Sequence, residues 1–193
     1  ATAKVKEKYP DVIFIAEVYN PAEYRHYIAS GFDYLYDKVG LYDTLRCVVT
    51  GMASASCITG CWQAIDDIRP HMLNFLENHD EQRIASAYFA GDARKALPAL
   101  VVSSMMGTNP FMVYAGQELG EPAMDAEGFS GSDGRTTIFD YWSVPTLRKL
   151  SARTPETGFT KSEKELYNYY EQVMLLCRDN RAITNGLFYD LQY

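Results

Sequence analysis

Two carboxylates stand where α/β proteins keep their chemistry. Glu17 directly follows the apolar run Val12-Ile13-Phe14-Ile15-Ala16, and Asp80 lies just beyond Met72-Leu73-Asn74-Phe75-Leu76 with His79 beside it. Rigid parallel strands aim the loops at their C-terminal ends, so reacting groups collect there. A carboxyl group at the end of a buried strand is expected to be desolvated, which raises its pKa and keeps it protonated. A general acid working near neutral pH needs that property. The plainer reading is an acid that caps the following helix. Asn20 already fills that role after Glu17, whereas for Asp80 it stays open.

The elements that must hold these groups alternate along the chain. The unbroken apolar run at 12–16 suits a strand covered on both faces, and 32–36, 72–76 and 111–115 read as three further strands. Asn20-Pro21-Ala22-Glu23 reads as an N-cap, a first-turn proline and a first-turn acid, opening a short helix that Gly31 closes. Leu41, Leu45, Val48 and Val49 mark a second helix, and a helical insertion is expected over 54–68. A third main helix is predicted over 92–106, bent or delayed by Pro98. The stretch from Gly116 to about Thr160 is polar and Gly-rich, and connections of that length are usually functional or disordered. Ser162-Glu163-Lys164-Glu165 has the form of a capping box, and Leu166, Tyr170, Val173 and Cys177 form the apolar face of the last helix. Four βα units in a row imply a parallel sheet. Periodicity does not choose between a small open sheet and half of an eight-stranded barrel.

Bulk properties narrow the function classes. With 193 residues, 47% hydrophobic and 22% charged, the chain suits one ordinary globular domain. A net charge of −7 with scattered basic residues argues against a nucleic-acid partner, whose phosphates are met mainly by Lys and Arg. No apolar run approaches the roughly 20 residues that span a bilayer, so no membrane partner is expected. Cys57 and Cys61 lack a matching second pair, with His71 alone nearby, so buried thiols are expected rather than a metal site. Fifteen tyrosines suit stacking on sugar rings as well as packing between helix and sheet. The opening ATAKVKEKYP reads as the tail of a helix rather than a signal peptide, and LFYDLQY at the other end reads as a strand without a partner. Both edges look cut, and a fragment is expected.

Three segments together resemble the α-amylase superfamily of retaining glycoside hydrolases. Residues 14–20, FIAEVYN, are similar to its fifth-strand segment; residues 74–83, NFLENHDEQR, to its seventh; and residues 110–120, PFMVYAGQELG, to its eighth strand and Gly-x-Glu turn. Their order and spacing also match. The resemblance implies a (β/α)8 TIM-barrel fold present as its C-terminal half, residues 1–180, with 181–193 starting a following segment, the first strand of a β domain. It implies that Glu17 protonates the glycosidic oxygen, that Asp80 binds two sugar hydroxyls and stabilises the oxocarbenium-like transition state, and that His79 hydrogen-bonds a sugar hydroxyl. Asn78, Arg83 and Tyr19 join the substrate-binding set. Arg83 is read either as positioning nearby loops or as solvated, and Tyr19 either as stacking on a sugar or as packing. Glu118 is read as structural in the eighth turn, and Asp33 and Asp37 as open to either role. The implied substrate is an α-glucan or maltooligosaccharide.

The departures from the family pattern are equally informative. The family's nucleophile is an Asp in a Gly-x-Arg-x-Asp segment after the fourth strand, and no such segment occurs; the Asp-Gly-Arg at 133–135 has the wrong order. A retaining mechanism needs that second carboxylate about 5–5.5 Å from the acid, so this polypeptide alone is expected to be inactive. The Asn-His segment after the third strand, which often helps bind calcium, is also absent. No cofactor is therefore expected in this segment, and calcium would belong to the full-length enzyme. Half a barrel leaves two unpaired strand edges, and self-association through them is expected. The alternatives are a non-catalytic carbohydrate-binding relative, a transglycosylase or isomerase of the same superfamily, and an unrelated open α/β protein. That last reading predicts a glycine-rich phosphate loop, and none is present.

Overall fold

The computed structural model describes residues 1–123, 133–139, 144–152 and 158–191. Each apolar run delivers a strand, but a short one: β1 (Ile15–Ala16), β2 (Tyr34–Tyr36), β3 (Met72–Phe75) and β4 (Phe111–Met112). The strands are parallel and lie in chain order, β1-β2-β3-β4. Each crossover thus reaches the adjacent strand, without the reversal of order that defines a doubly wound sheet.

Register sorts the side chains onto two faces. Ala16, Leu35 and Met72 are partners across β1, β2 and β3, and all three enter one buried cluster with Val18, Tyr24, Ile65 and Ile68. The opposite face carries Ile15, Tyr34, Tyr36 and Leu73. A larger cluster around Leu45, Leu76, Ile84 and Leu100 receives Leu166, Tyr170 and Val173 from the long helix, where Cys177 is half-buried against the same cluster.

The helices are α1 (Thr2–Lys8), α2 (Tyr24–Ala29), α3 (Asp43–Val49), α4 (Cys57–Ala64), α5 (Leu97–Met105), α6 (Pro145–Leu150), α7 (Lys161–Asp179) and α8 (Arg181–Thr184). Asn20 caps the turn before α2 by accepting from Ala22 N–H. Gly31 follows α2 with a φ of +94°, and a Cβ there would sit 2.7 Å from Thr2 Oγ1, so only glycine fits. Pro98 delays α5 rather than bending it: residues Ala93–Ala96 form a 3-10 turn, and the α-helix begins at Leu97. At the other end of α5, the Ser103 carbonyl accepts from Asn74 Nδ2 at 2.8 Å and the Ser104 carbonyl from Cys177 Sγ at 3.4 Å.

One expectation is corrected. The capping box of α7 sits two residues earlier than Ser162: Thr160 and Glu163 exchange the reciprocal bonds. Glu163 is fixed there because it also accepts from Lys149 Nζ at 2.6 Å. Residues Arg181–Thr184, in the segment expected to lead into a β domain, form α8, and the described residues after it are irregular. That tail folds back on α4. Asp190 accepts from Thr59 Oγ1 at 2.7 Å and Trp62 Nε1 at 2.9 Å, and Phe188 packs edge-on against Trp62. Among the described residues 187–191 the alternation turns Phe188 and Asp190 toward α4 and leaves Leu187, Tyr189 and Leu191 exposed. Among the described residues no helix is long and apolar enough to cross a membrane.

Candidate active site

Glu17 leaves the end of β1 beside Tyr19, whose hydroxyl donates to Glu17 Oε1. That bond is the main reason the Tyr19 phenol is pushed up to about 12; burial and the charges of Glu17, Asp80 and Glu81 add to it. Tyr36, one strand over, is also raised, first by burial and then by Glu17 and Asp80. The charges of both carboxylates thus raise the same two phenols, Tyr19 after the end of β1 and Tyr36 at the end of β2. The desolvation expected at Glu17 is absent. Its side chain is exposed, because β1 is an edge strand with β2 as its one partner.

Asp80 sits on a loop with a buried base. All four residues of β3 are buried, as are Glu77 and Arg83 at either end of the loop. Arg83 Nη1 donates to Glu77 Oε2 at 2.8 Å, and Ile84 N–H donates to Glu77 Oε1 at 2.7 Å. Burial pushes the Glu77 carboxyl up, while Arg83 and the Ile84 amide oppose that shift; the 2.8 Å contact favours the ionised pair. Asn78 Oδ1 then accepts from both Asp80 N–H and Glu81 N–H at 2.9 Å. This turn projects His79 and Asp80 outward, with Nε2 and Oδ2 3.4 Å apart and both side chains more than 40% exposed.

Glu81 leans the other way. It accepts from Tyr42 Oη at 3.1 Å and pairs with Lys38 Nζ at 3.2 Å and Arg46 Nη1 at 3.9 Å. Lys38 and Tyr42 belong to a single π-helical turn, Lys38–Tyr42, that follows β2. Such turns are rare and concentrate at functional sites.

The remaining candidates take up the following places. Arg83, placed in the substrate-binding set, is fully buried. Its guanidinium is taken up by Glu77, Thr136 Oγ1 at 2.7 Å and the Ala115 carbonyl at 3.0 Å, and it lies over the Tyr114 ring at 4.1 Å. Asn78, from the same set, is 5% exposed and its Oδ1 holds the turn. Asp33 pairs with Lys6 at 2.6 Å and accepts from Phe14 N–H, while Asp37 is buried and caps the π-helical turn through Leu41 N–H. Glu118 accepts from Gly116 N–H, and burial pushes its carboxyl up. Tyr36, Glu81 and Tyr114 were missed. Strand alternation could have found Tyr36, two residues from Tyr34 on the face opposite Leu35.

Beside His79 opens a cleft of about 540 Å³, whose lining includes His79, Arg83, Tyr114, Thr137, Ile138 and Leu147. Among the described residues no group of three or more His, Cys, Asp or Glu side chains is placed to hold a metal ion.

Neither a protein-family model nor a curated protein matches the sequence. Solved structures do. The cyclic α-maltosyl-(1→6)-maltose hydrolase from Arthrobacter globiformis, solved with maltose, superposes with a TM-score of 0.66 at 20% identity, over 96% of this chain and 38% of that one. The α-amylase from H. orenii gives 0.65 at 19% identity, over 96% and 40%. A cyclomaltodextrinase gives 0.65 at 18% identity, over 94% and 28%. The chain has the fold of part of an α-amylase. It spans less than half the length of each of these structures, so its four-stranded parallel sheet corresponds to part of their catalytic TIM barrel.

Proposed function

We propose that the chain is the C-terminal half of the (β/α)8 barrel, residues 1–180, of an α-glucan-active retaining glycoside hydrolase. The observation that carries this reading is the placement of Glu17 and Asp80 after the C-terminal ends of β1 and β3 in a chain that superposes on α-glucan hydrolases. In this reading Glu17 protonates the glycosidic oxygen and later activates water. Asp80 binds sugar hydroxyls and stabilises positive charge at the anomeric carbon, and His79, beside it, holds a hydroxyl of the same ring. Tyr19 orients Glu17 and offers an exposed ring to the leaving-group sugar. Arg83 and Asn78 hold the loop and do not touch the sugar.

The nucleophile is not in this sequence. Losing one member of a catalytic unit can cost as much as losing all of them, so the chain alone binds maltooligosaccharide without cleaving it. Incubation with maltoheptaose, with products followed by chromatography, is expected to show no hydrolysis. Cleavage that disappears in Glu17→Gln would overturn the inactivity. The exposed edges of the half-barrel also favour pairing of two copies across a two-fold axis.

A further inference from the structure

The loop that carries His79 and Asp80 shares one residue with the wall of the neighbouring cleft. Arg83 N–H donates to the Gly134 carbonyl at 2.7 Å. Its side chain reaches Thr136, the Ala115 carbonyl after β4, and Glu77 after β3. Three separate segments therefore converge on a group that is 1% exposed. The fit is tight on the wall side as well. Gly134 has a φ of +81°, and a Cβ there would meet Ser86 Oγ at 2.8 Å, so 133–137 lies hard against the chain that follows Arg83. Thr137, directly after Thr136, and Ile138 face the cleft together with His79.

From these contacts we propose that Arg83 is a positioning residue that makes the His79–Asp80 loop and the cleft wall at 133–138 one mechanical unit. A chain held against that wall is then presented to His79 and Asp80 in fixed register. The identity of the bound chain rests on the glycosidase reading; the mechanical coupling does not. The residue type supports the assignment. A planar guanidinium can meet three acceptors at once, whereas an ammonium is a point charge on a flexible stem. A simple ion pair with Glu77 would not need that fork.

Amide hydrogen exchange on the full chain, read residue by residue by NMR, tests the coupling. Arg83→Lys keeps a charge opposite Glu77 but loses the fork. The amides of Asp80, Glu81 and residues 134–137 are expected to exchange together, about fivefold faster or more, an effect the size of one hydrogen bond, while α5 and α7 keep their rates. Thr136→Val removes a single bond on the wall and leaves the ion pair intact. It should still speed exchange at Asp80 and Glu81, which it does not touch. Unchanged rates at Asp80 and Glu81 in Thr136→Val would overturn the proposal, as would a folded Arg83→Lys with both segments at wild-type rates. Titration with maltoheptaose separates the two readings. Failure of the wild-type chain to bind counts against the glycosidase reading alone, while binding that Arg83→Lys leaves equally tight counts against the coupling.

Discussion

The ends of β1 and β3 carry the two acids, yet they are built in opposite ways. β3 has a partner on each side and all its residues are buried, and its loop is pinned by Glu81 toward β2 and by Arg83 toward β4. β1 has one partner, Ile15 is 49% exposed, and Glu17 is held by a single bond from Tyr19. The difference teaches that an acid's setting is fixed by the neighbours of its strand rather than by the strand's own sequence. Asp80 is presented by a loop buried at its base, and Glu17 by a strand paired, among the described residues, on one side.

The contrast breaks first at the buried pair. Glu77→Ala leaves the Arg83 guanidinium uncompensated, and a loss of about 3–5 kcal/mol is expected in urea unfolding. A loss below about 1 kcal/mol, typical of an exposed pair, would show that the frame around Asp80 is looser than its burial implies. The edge comes next. Ile13 and Ile15 are 60% and 49% exposed beside Glu17, so light scattering at high concentration is expected to show a dimer that Ile15→Lys dissociates. A monomeric wild-type chain would sink the pairing. The smallest effect belongs to Glu17 itself. Glu17→Gln should change stability by no more than about 0.5 kcal/mol, as at other exposed sites, but it should move the Tyr19 titration. In the folded chain that phenol ionises near 12 rather than at its ordinary 10.0, chiefly through its bond to Glu17. The Tyr19 contribution is therefore complete below pH 10 and is lost as pH rises through 12. Ring NMR should show the midpoint falling back toward 10 in Glu17→Gln; a midpoint that stays near 12 would mean Glu17 is not its partner.

The same comparison explains what the sequence revealed. Largely apolar segments located the four strands of the described sheet, although only β3 is buried throughout and Ile15 of β1 is 49% exposed. Asn20 and Pro98 acted through local backbone chemistry and were legible as a cap and a delayed helix start. The exposure of Glu17 was not, since an edge strand and an interior strand can carry the same residues. Arg83 reads as a polar residue after a polar turn, and its burial depends on Ala115 and Thr136, 32 and 53 positions away. The capping box was ambiguous for a similar reason. Thr160–Glu163 and Ser162–Glu165 both have the required spacing, and Lys149 in another helix favours the first.

The C-terminal end of α5 carries a consequence for the order of events in folding. Its last turn leaves carbonyls without partners inside the helix, and two of them are met by Asn74 from β3 and Cys177 from α7. Neither partner is local: Asn74 precedes its carbonyl by 29 positions and Cys177 follows its own by 73. A nascent α5 is therefore expected to fray at that end until β3 and α7 are in place, and its last amides should gain exchange protection only once both have docked.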